Sequence, residues 1–134
     1  MIVDTSGLLA YFNRREPLHH EAVSAVEAAD ELIVSPYVVA EVDYLVMTRH
    51  GVEAELNVLD ELSGGAWVQA EFGDPEIRQA RSVIARYPDQ RIGVTDASLV
   101  VLAHRHRTHE LLSLDRRHFD VIRPLGGGRF RLRP

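Results

Sequence analysis

Four carboxylates of this chain occupy positions where a carboxylate is hard to accommodate in a folded protein. Each one ends, interrupts or precedes an apolar segment, and the four are Asp4, Glu41, Asp96 and Asp115. A carboxylate that is removed from water is costly unless a positive charge or hydrogen bonds meet it. The chain contains no lysine. We therefore expect a divalent cation to supply the missing positive charge.

Taken singly, three of these acids have ordinary structural explanations. Asp4 precedes a helix that is predicted to start at Thr5, and its side chain could cap the first turn. Asp96 lies at the start of another predicted helix, where the helix dipole favours a negative charge. Asp115 could be a turn residue after a strand. These alternatives stay open for each acid considered alone.

Glu41 is harder to explain in this way. On a helix, the side chains three and four positions away from it include Val38 and Leu45, and none of them is basic. Asp43 competes with Glu41, because its own neighbours at this spacing are apolar as well. Spacing alone therefore does not choose between these two carboxylates.

Considered together, the four acids point to one kind of chemistry. Acids at strand ends and on helices can converge on one cleft, where like charges raise each other's pKa. Mg²⁺ or Mn²⁺ removes this penalty, because these hard ions select oxygen ligands. Such an ion holds a phosphate oxygen and helps to generate hydroxide for in-line attack. The pattern therefore predicts a divalent-metal site suited to phosphate chemistry.

The composition limits the classes of protein to which the chain can belong. Its length fits a single domain over residues 1–134, long enough to bury a core. No apolar run is long enough to cross a membrane, and Asp4 interrupts the N-terminus where a signal segment would need apolar residues. The absence of cysteine excludes disulfides and thiolate zinc sites. We therefore expect a cytoplasmic protein without a membrane partner.

The basic residues, all of them arginine, are unevenly distributed. Residues 1–103 hold seven arginines and seventeen acids, whereas residues 104–134 hold eight arginines and three acids. The net charge of −5 thus combines an acidic body with a basic C-terminal end. This end keeps nucleic acid open as a partner, although the same arginines could form a solvated face.

Short apolar segments alternate with helical periodicity along most of the chain. Strands are predicted at 1–4, 32–34, 66–72 and 111–114, with two further candidates at 121–125 and 130–132. Helices are predicted at 5–13, 17–29, 36–50, 52–62, 74–87 and 95–107. The third helix is apolar nearly all round, which predicts that it is buried. This alternation predicts an α/β fold, a three-layer α/β/α sandwich with a short, mainly parallel central sheet.

Four segments, taken in order, resemble the acidic motifs of the PIN domain. They are Met1–Ser6, Ser35–Glu41, Thr95–Ala97 and Leu114–Asp115. Each motif alone is weak, whereas the ordered set covers nearly the whole chain and is fairly specific. The subtype that the chain resembles is the VapC ribonuclease toxin of bacterial toxin–antitoxin pairs. This resemblance implies the PIN type of α/β/α sandwich.

The resemblance also implies roles for individual residues. Carried over by motif position, Asp4 and Asp96 are the principal metal ligands, and Glu41 and Asp115 complete the acidic pocket. The motif position of Glu41 favours it over Asp43.

Three further positions are singled out by the motifs. Ser6 and Ser113 fall where members of the family often have a hydroxyl that supports the site. His118 departs from the family pattern, because many relatives have another acid three residues after the last motif carboxylate. This departure leaves a second metal position without its acid.

At the level of function, the resemblance implies an endoribonuclease toxin that uses Mg²⁺ or Mn²⁺ and cleaves translation-related RNA such as tRNA or ribosomal RNA. It implies a VapB-like antitoxin and a homodimer as partners, and the apolar residues Leu9, Tyr11 and Phe12 suggest a groove for an antitoxin segment. Two alternatives stay open: a PIN nuclease of RNA processing, and a catalytically silent binding module that keeps the fold.

Overall fold

Five short strands form the central sheet of the protein. The computed structural model describes residues 1–134, and its strands are β1 (Ile2–Val3), β2 (Ile33–Val34), β3 (Val68–Gln69), β4 (Glu110–Leu112) and β5 (Arg131–Arg133). Their order across the sheet is β3-β2-β1-β4-β5, and every neighbouring pair is parallel. The carboxyl ends of all five strands therefore lie along one edge of the sheet.

The three central strands form the middle of the core. Residues in register on β1, β2 and β4 are each exposed by 1% or less: Ile2, Val3, Ile33, Val34, Leu111 and Leu112. Their continuous apolar sequence is typical of parallel strands that are covered by helices on both faces.

Seven helices cover the sheet: α1 (Thr5–Phe12), α2 (His19–Glu27), α3 (Pro36–His50), α4 (Val52–Leu62), α5 (Asp74–Arg86), α6 (Val94–Arg105) and α7 (Arg116–Phe119). The connections after β1 and β2 run toward one edge of the sheet, and those after β3 and β4 run toward the other. Right-handed crossovers place these two sets on opposite faces, which gives the predicted three layers. None of the helices combines the length and apolar character needed to cross a membrane.

The predicted helices are all present, with ends that differ by at most two residues. One strand prediction is too long, and one strand candidate is wrong. The strand predicted at 66–72 is limited to Val68–Gln69, because β3 is an edge strand that pairs only with β2. The candidate at 121–125 is a turn instead, in which the amide groups of Val121 and Ile122 donate to the carbonyl oxygen of His118.

The prediction that α3 is buried nearly all round is also wrong. Val38, Val42 and Val46 are buried, at the four-residue spacing of one helix face. Tyr44 is 61% exposed and Met47 is 37% exposed. The helix thus packs by one face and presents apolar side chains to solvent on another.

Gly7 brings α1 close to the end of β4. A Cβ atom at this position would lie 2.3 Å from the carbonyl oxygen of Leu112, which is closer than any side chain could approach. This close contact holds the first turn of α1 beside the residues that follow β4. The hydroxyls of Ser6 and Ser113 consequently lie 3.3 Å apart.

Candidate functional site

The four predicted carboxylates line one cavity of about 390 Å³. Asp4 follows β1 and Asp115 follows the Ser113–Leu114 pair after β4, the neighbouring strand. Glu41 extends from α3, and Asp96 lies in the first turn of α6. The fold therefore brings together acids that are separated by up to 111 positions in the chain.

Asp4 is the most buried of the four, with 5% exposure. Its Oδ1 accepts the backbone N–H of Thr5 at 2.7 Å, and its Oδ2 accepts the hydroxyls of Ser6 at 2.9 Å and Ser113 at 2.7 Å. Burial raises the pKa of Asp4, and these hydrogen bonds oppose the rise. Asp4 is also the N-cap of α1, so its structural explanation holds together with its place in the cavity.

Asp96 is partly buried and is surrounded by like charges. Burial is the largest cause that raises its pKa to about 6, and the charge of Asp4 is the next. Asp115 and Glu41 act in the same direction, whereas His118 lowers the pKa. The cavity therefore holds more negative charge than its own protein environment neutralises.

Asp115 is tied to His118 by two hydrogen bonds. As the N-cap of α7, its Oδ1 accepts the backbone N–H of His118 at 3.2 Å. Its Oδ2 lies 2.8 Å from Nδ1 of the same histidine. That nitrogen is also 3.8 Å from Oδ2 of Asp96. The histidine that departs from the family pattern thus contacts two of the four acids.

The structure separates Glu41 from Asp43. Glu41 lines the cavity, whereas Asp43 is not among the lining residues. Asp43 instead lies beside Glu55 of α4, and this contact raises the pKa of Glu55. The two acids that spacing could not distinguish lie on different sides of α3.

The donor set fits a hard divalent cation in its chemistry, because four carboxylates supply oxygen ligands in an acidic pocket. Burial first, and then the repulsion from Asp4, raises the pKa of Asp96, and a bound cation would offset both. No three acidic or histidine side chains lie close enough together to surround one ion in this conformation. The residues thus fit a cation by type, and their side chains are not gathered around a single point.

Sequence reasoning missed two features of the site. Thr5 lines the cavity with 5% exposure, and its hydroxyl is a buried side-chain oxygen without a hydrogen-bond partner. The contact between His118 and Asp96 joins two separate elements. The neighbouring contact between His118 and Asp115 could have been predicted from the sequence, since an N-cap acid accepts the backbone N–H of a residue up to three positions later.

A larger groove of about 840 Å³ adjoins the acidic cavity. Its apolar lining includes the three residues predicted for a partner segment, Leu9, Tyr11 and Phe12. Ser6 and Leu9 line both the groove and the acidic cavity. The two concave surfaces are therefore continuous.

The C-terminal arginines differ in how far their charge is offset. Arg133 bonds to Glu110 at 2.9 Å, and Arg131 lies 3.7 Å from the same carboxylate. Arg116 and Arg117 are exposed, follow Asp115 directly and form no salt bridge. Two uncompensated positive charges thus lie next to the acidic cavity along the chain.

Comparison with known proteins agrees with the family resemblance of the sequence motifs. Residues 1–123 match the sequence profile of the PIN domain family. Over its whole length the chain is 58% identical to the Mycobacterium tuberculosis protein named ribonuclease VapC26, all of which is covered.

Two solved structures share the fold. The toxin VapC20 of Mycobacterium tuberculosis, described as cleaving the sarcin–ricin loop, has a TM-score of 0.85 at 19% identity, with 99% of this chain and 98% of that chain covered. VapBC2 from Rickettsia felis, bound to a promoter DNA fragment, has a TM-score of 0.72 at 16% identity, with 99% of this chain and 98% of that chain covered.

The raised pKa of Asp96 predicts a stability effect with a defined sign. Since folding raises this pKa from 3.8 to about 6, wild-type stability falls as the pH rises through that interval and stays low above it. In the presence of chelator, Asp96→Asn should therefore match wild type near pH 4 and be more stable by about 1–2 kcal/mol at pH 7.5, after allowance for partial exposure. Urea unfolding measures the difference.

The exposed Asp89→Asn variant is the matched control, and it should follow wild type at both pH values. An Asp96→Asn protein that is no more stable than wild type at pH 7.5 would contradict the cost of burying the Asp96 charge beside Asp4.

Proposed function

Because this chain belongs to the PIN domain family and is a toxin of the VapC type, we propose that it is a divalent-metal-dependent endoribonuclease. Its reaction is the hydrolysis of phosphodiester bonds in translation-related RNA, tRNA or ribosomal RNA, in the cytoplasm. The proposal takes residues 1–134 as one catalytic domain.

One observation carries this proposal: four carboxylates from four separate elements line a single cavity. Mutual repulsion makes such an arrangement costly, and among the side chains of the protein only one histidine offsets it within ion-pair distance. A structural role would not require acids to converge in this way. A divalent cation that is held by these carboxylates and also binds a phosphate oxygen would explain why the acids converge.

We assign the residues as follows. Asp4 and Asp96 would hold Mg²⁺, with Mn²⁺ able to substitute, and Glu41 and Asp115 complete the pocket. A bound ion of this kind polarises a phosphate oxygen and activates water. The serine hydroxyls that bond to Oδ2 of Asp4 orient its carboxylate. Glu41 is the most exposed of the four acids, so its carboxylate is available to accept a proton from water at the cavity mouth.

Two other functions compete with this one. A PIN nuclease of RNA processing would use the same cavity, and an adjacent small antitoxin gene would argue against it. A silent binding module would have no need of four converging acids. Identification of the new RNA ends after induced expression would name the substrate, and an absence of new ends would favour the silent module.

We propose a VapB-like antitoxin as the partner that occupies the groove. The groove is apolar at Leu9, Tyr11 and Phe12 and runs up to the acidic cavity. A segment that folds on binding could cover both surfaces at once, as helix-in-groove partners do.

We also propose a homodimer. Four exposed apolar side chains on α3 and α4 offer a contact surface of the kind that marks interfaces: Tyr44, Met47, Val52 and Leu56. Light scattering should give twice the monomer mass at high concentration, and a strict monomer would exclude the dimer.

Removal of single carboxylates tests the active site. Asp4→Asn and Asp96→Asn should each reduce RNA cleavage by about 100-fold or more, and excess chelator should abolish wild-type cleavage. Glu41→Gln should lose activity in the same assay. Asp43→Asn is the matched control from the same helix and should retain most activity, since Asp43 faces Glu55.

Full cleavage in excess chelator would refute metal dependence. Activity that is lost in Asp43→Asn and kept in Glu41→Gln would show that the wrong carboxylate of α3 was assigned.

Obstruction of the groove tests the partner. Ala54 of α4 lines the groove and does not line the acidic cavity. Ala54→Arg should therefore abolish co-purification with the product of the neighbouring gene and leave RNA cleavage unchanged. Ala85→Arg on the exposed side of α5 is the matched control. Antitoxin binding that is equal in both variants would place the partner elsewhere.

RNA affinity tests the basic rim. Each arginine that neutralises a phosphate contributes about 0.7 to the log–log salt slope for single-stranded RNA. In the Asp96→Asn background, Arg116→Ala with Arg117→Ala should therefore weaken binding and flatten this slope by about 1.4. Arg131→Ala with Arg133→Ala removes arginines already offset by Glu110, and its effect should be smaller. An unchanged slope in the variant without Arg116 and Arg117 would show that these arginines form a solvated face and do not contact RNA.

A further inference from the structure

His118 is the only basic side chain within ion-pair distance of the four carboxylates. Its Nδ1 lies 2.8 Å from Oδ2 of Asp115 and 3.8 Å from Oδ2 of Asp96. All three side chains are partly buried, with exposures of 23% for His118, 23% for Asp96 and 33% for Asp115. Partial burial makes this contact stronger than a pair on the open surface.

The contact between Nδ1 and Asp115 favours one tautomer of the ring. An ionised carboxylate only accepts hydrogen bonds, so the contact with Asp115 requires Nδ1–H to be the donor. The Nδ1–H group and the backbone N–H of His118 together occupy one acceptor position on each oxygen of Asp115. The carboxylate is thereby held in one orientation, and a second acceptor position on each oxygen stays available.

The histidine itself is firmly placed. Its carbonyl oxygen accepts the amide groups of Val121 and Ile122. The next residue, Phe119, is buried with 2% exposure and packs edge-to-face on Phe130 at a ring-centre distance of 5.9 Å. Because the backbone of His118 is held in place, its ring can fix the orientation of the Asp115 side chain.

We propose that His118 is a positioning residue of the acidic cavity. Its Nδ1–H fixes the orientation of the Asp115 carboxylate beside Asp96, so that the acceptor positions left free on Asp115 are held ready for a divalent cation. The inference rests on the proposed metal dependence. Mutation of a side chain that orients a metal ligand by a hydrogen bond typically lowers metal affinity or activity by about 10- to 100-fold. We expect a loss of roughly this size in metal affinity when the ring of His118 is removed.

Calorimetric titration of the RNA-free protein with Mn²⁺ tests this role. His118→Leu should weaken Mn²⁺ binding by about 10-fold or more. His118→Asn keeps an N–H donor in nearly the same place and should bind Mn²⁺ close to wild type. His106→Leu is the matched control, because His106 pairs with Glu31 and lies within ion-pair distance of none of the four carboxylates.

Three results would overturn the proposal. Mn²⁺ affinity in His118→Leu equal to that of wild type would show that the ring has no role in positioning. An equal loss in His118→Asn and His118→Leu would show that the donor is not the cause. Tighter binding in His118→Leu would show that the ring competes with the cation.

A second measurement separates this inference from the proposed function. Long-range ¹H–¹⁵N correlation of the metal-free protein at about pH 8, where an ordinary histidine is neutral, reports the tautomer of His118. The expected form is protonated on Nδ1, and the Nε2–H form would overturn the proposal. A wild-type protein that binds no Mn²⁺ would refute the metal dependence and this role with it, whereas normal binding and cleavage in His118→Leu would refute this role alone.

Discussion

The buried carboxylate of Asp4 is the constraint on which the arrangement of the site depends. With 5% exposure it has lost most of its water, and such a loss is tolerated only when hydrogen bonds replace the water. Ser6 from α1 and Ser113 from the end of β4 provide two of these bonds. The same hydroxyls also accept the backbone N–H groups of Leu114 and Asp115. The hydrogen bonds that make Asp4 tolerable therefore also determine where the chain after β4 goes.

This network explains why the acids of the cavity cannot be regarded independently. Gly7 permits α1 to approach β4 closely, and the approach places Ser6 beside Ser113. Asp115 begins α7 as its N-cap, and α7 carries His118 back toward Asp96. Asp4, Asp115 and Asp96 are thus connected through Ser113 and His118. Two of the four are helix caps, which shows that a structural role and a place in an acidic cavity are compatible for the same side chain.

The sequence was sufficient for features that depend on local pattern and insufficient for features that depend on contacts between elements. Helix ends were predicted within two residues because caps, prolines and glycines mark them locally. The burial of α3 was overestimated because hydropathy does not reveal which face has a neighbour, and Tyr44 is exposed. The choice between Glu41 and Asp43 depended on the side of α3 that faces α1 and α6. The approach of His118 to Asp96 depended on where α7 lies, and no spacing rule contains that information.

The continuity of the groove with the acidic cavity has a consequence for regulation. Ser6 and Leu9 belong to both surfaces, and they lie on the helix that Asp4 caps. A partner seated on the apolar groove therefore contacts the same turn of α1 that orients the Asp4 carboxylate. Such a partner need not reach the carboxylates to affect them, since a small shift of this turn changes the hydrogen bond from Ser6 to Asp4. Because the buried carboxylate of Asp4 depends on that bond, Ser6 is a direct physical connection between the groove and the acidic cavity.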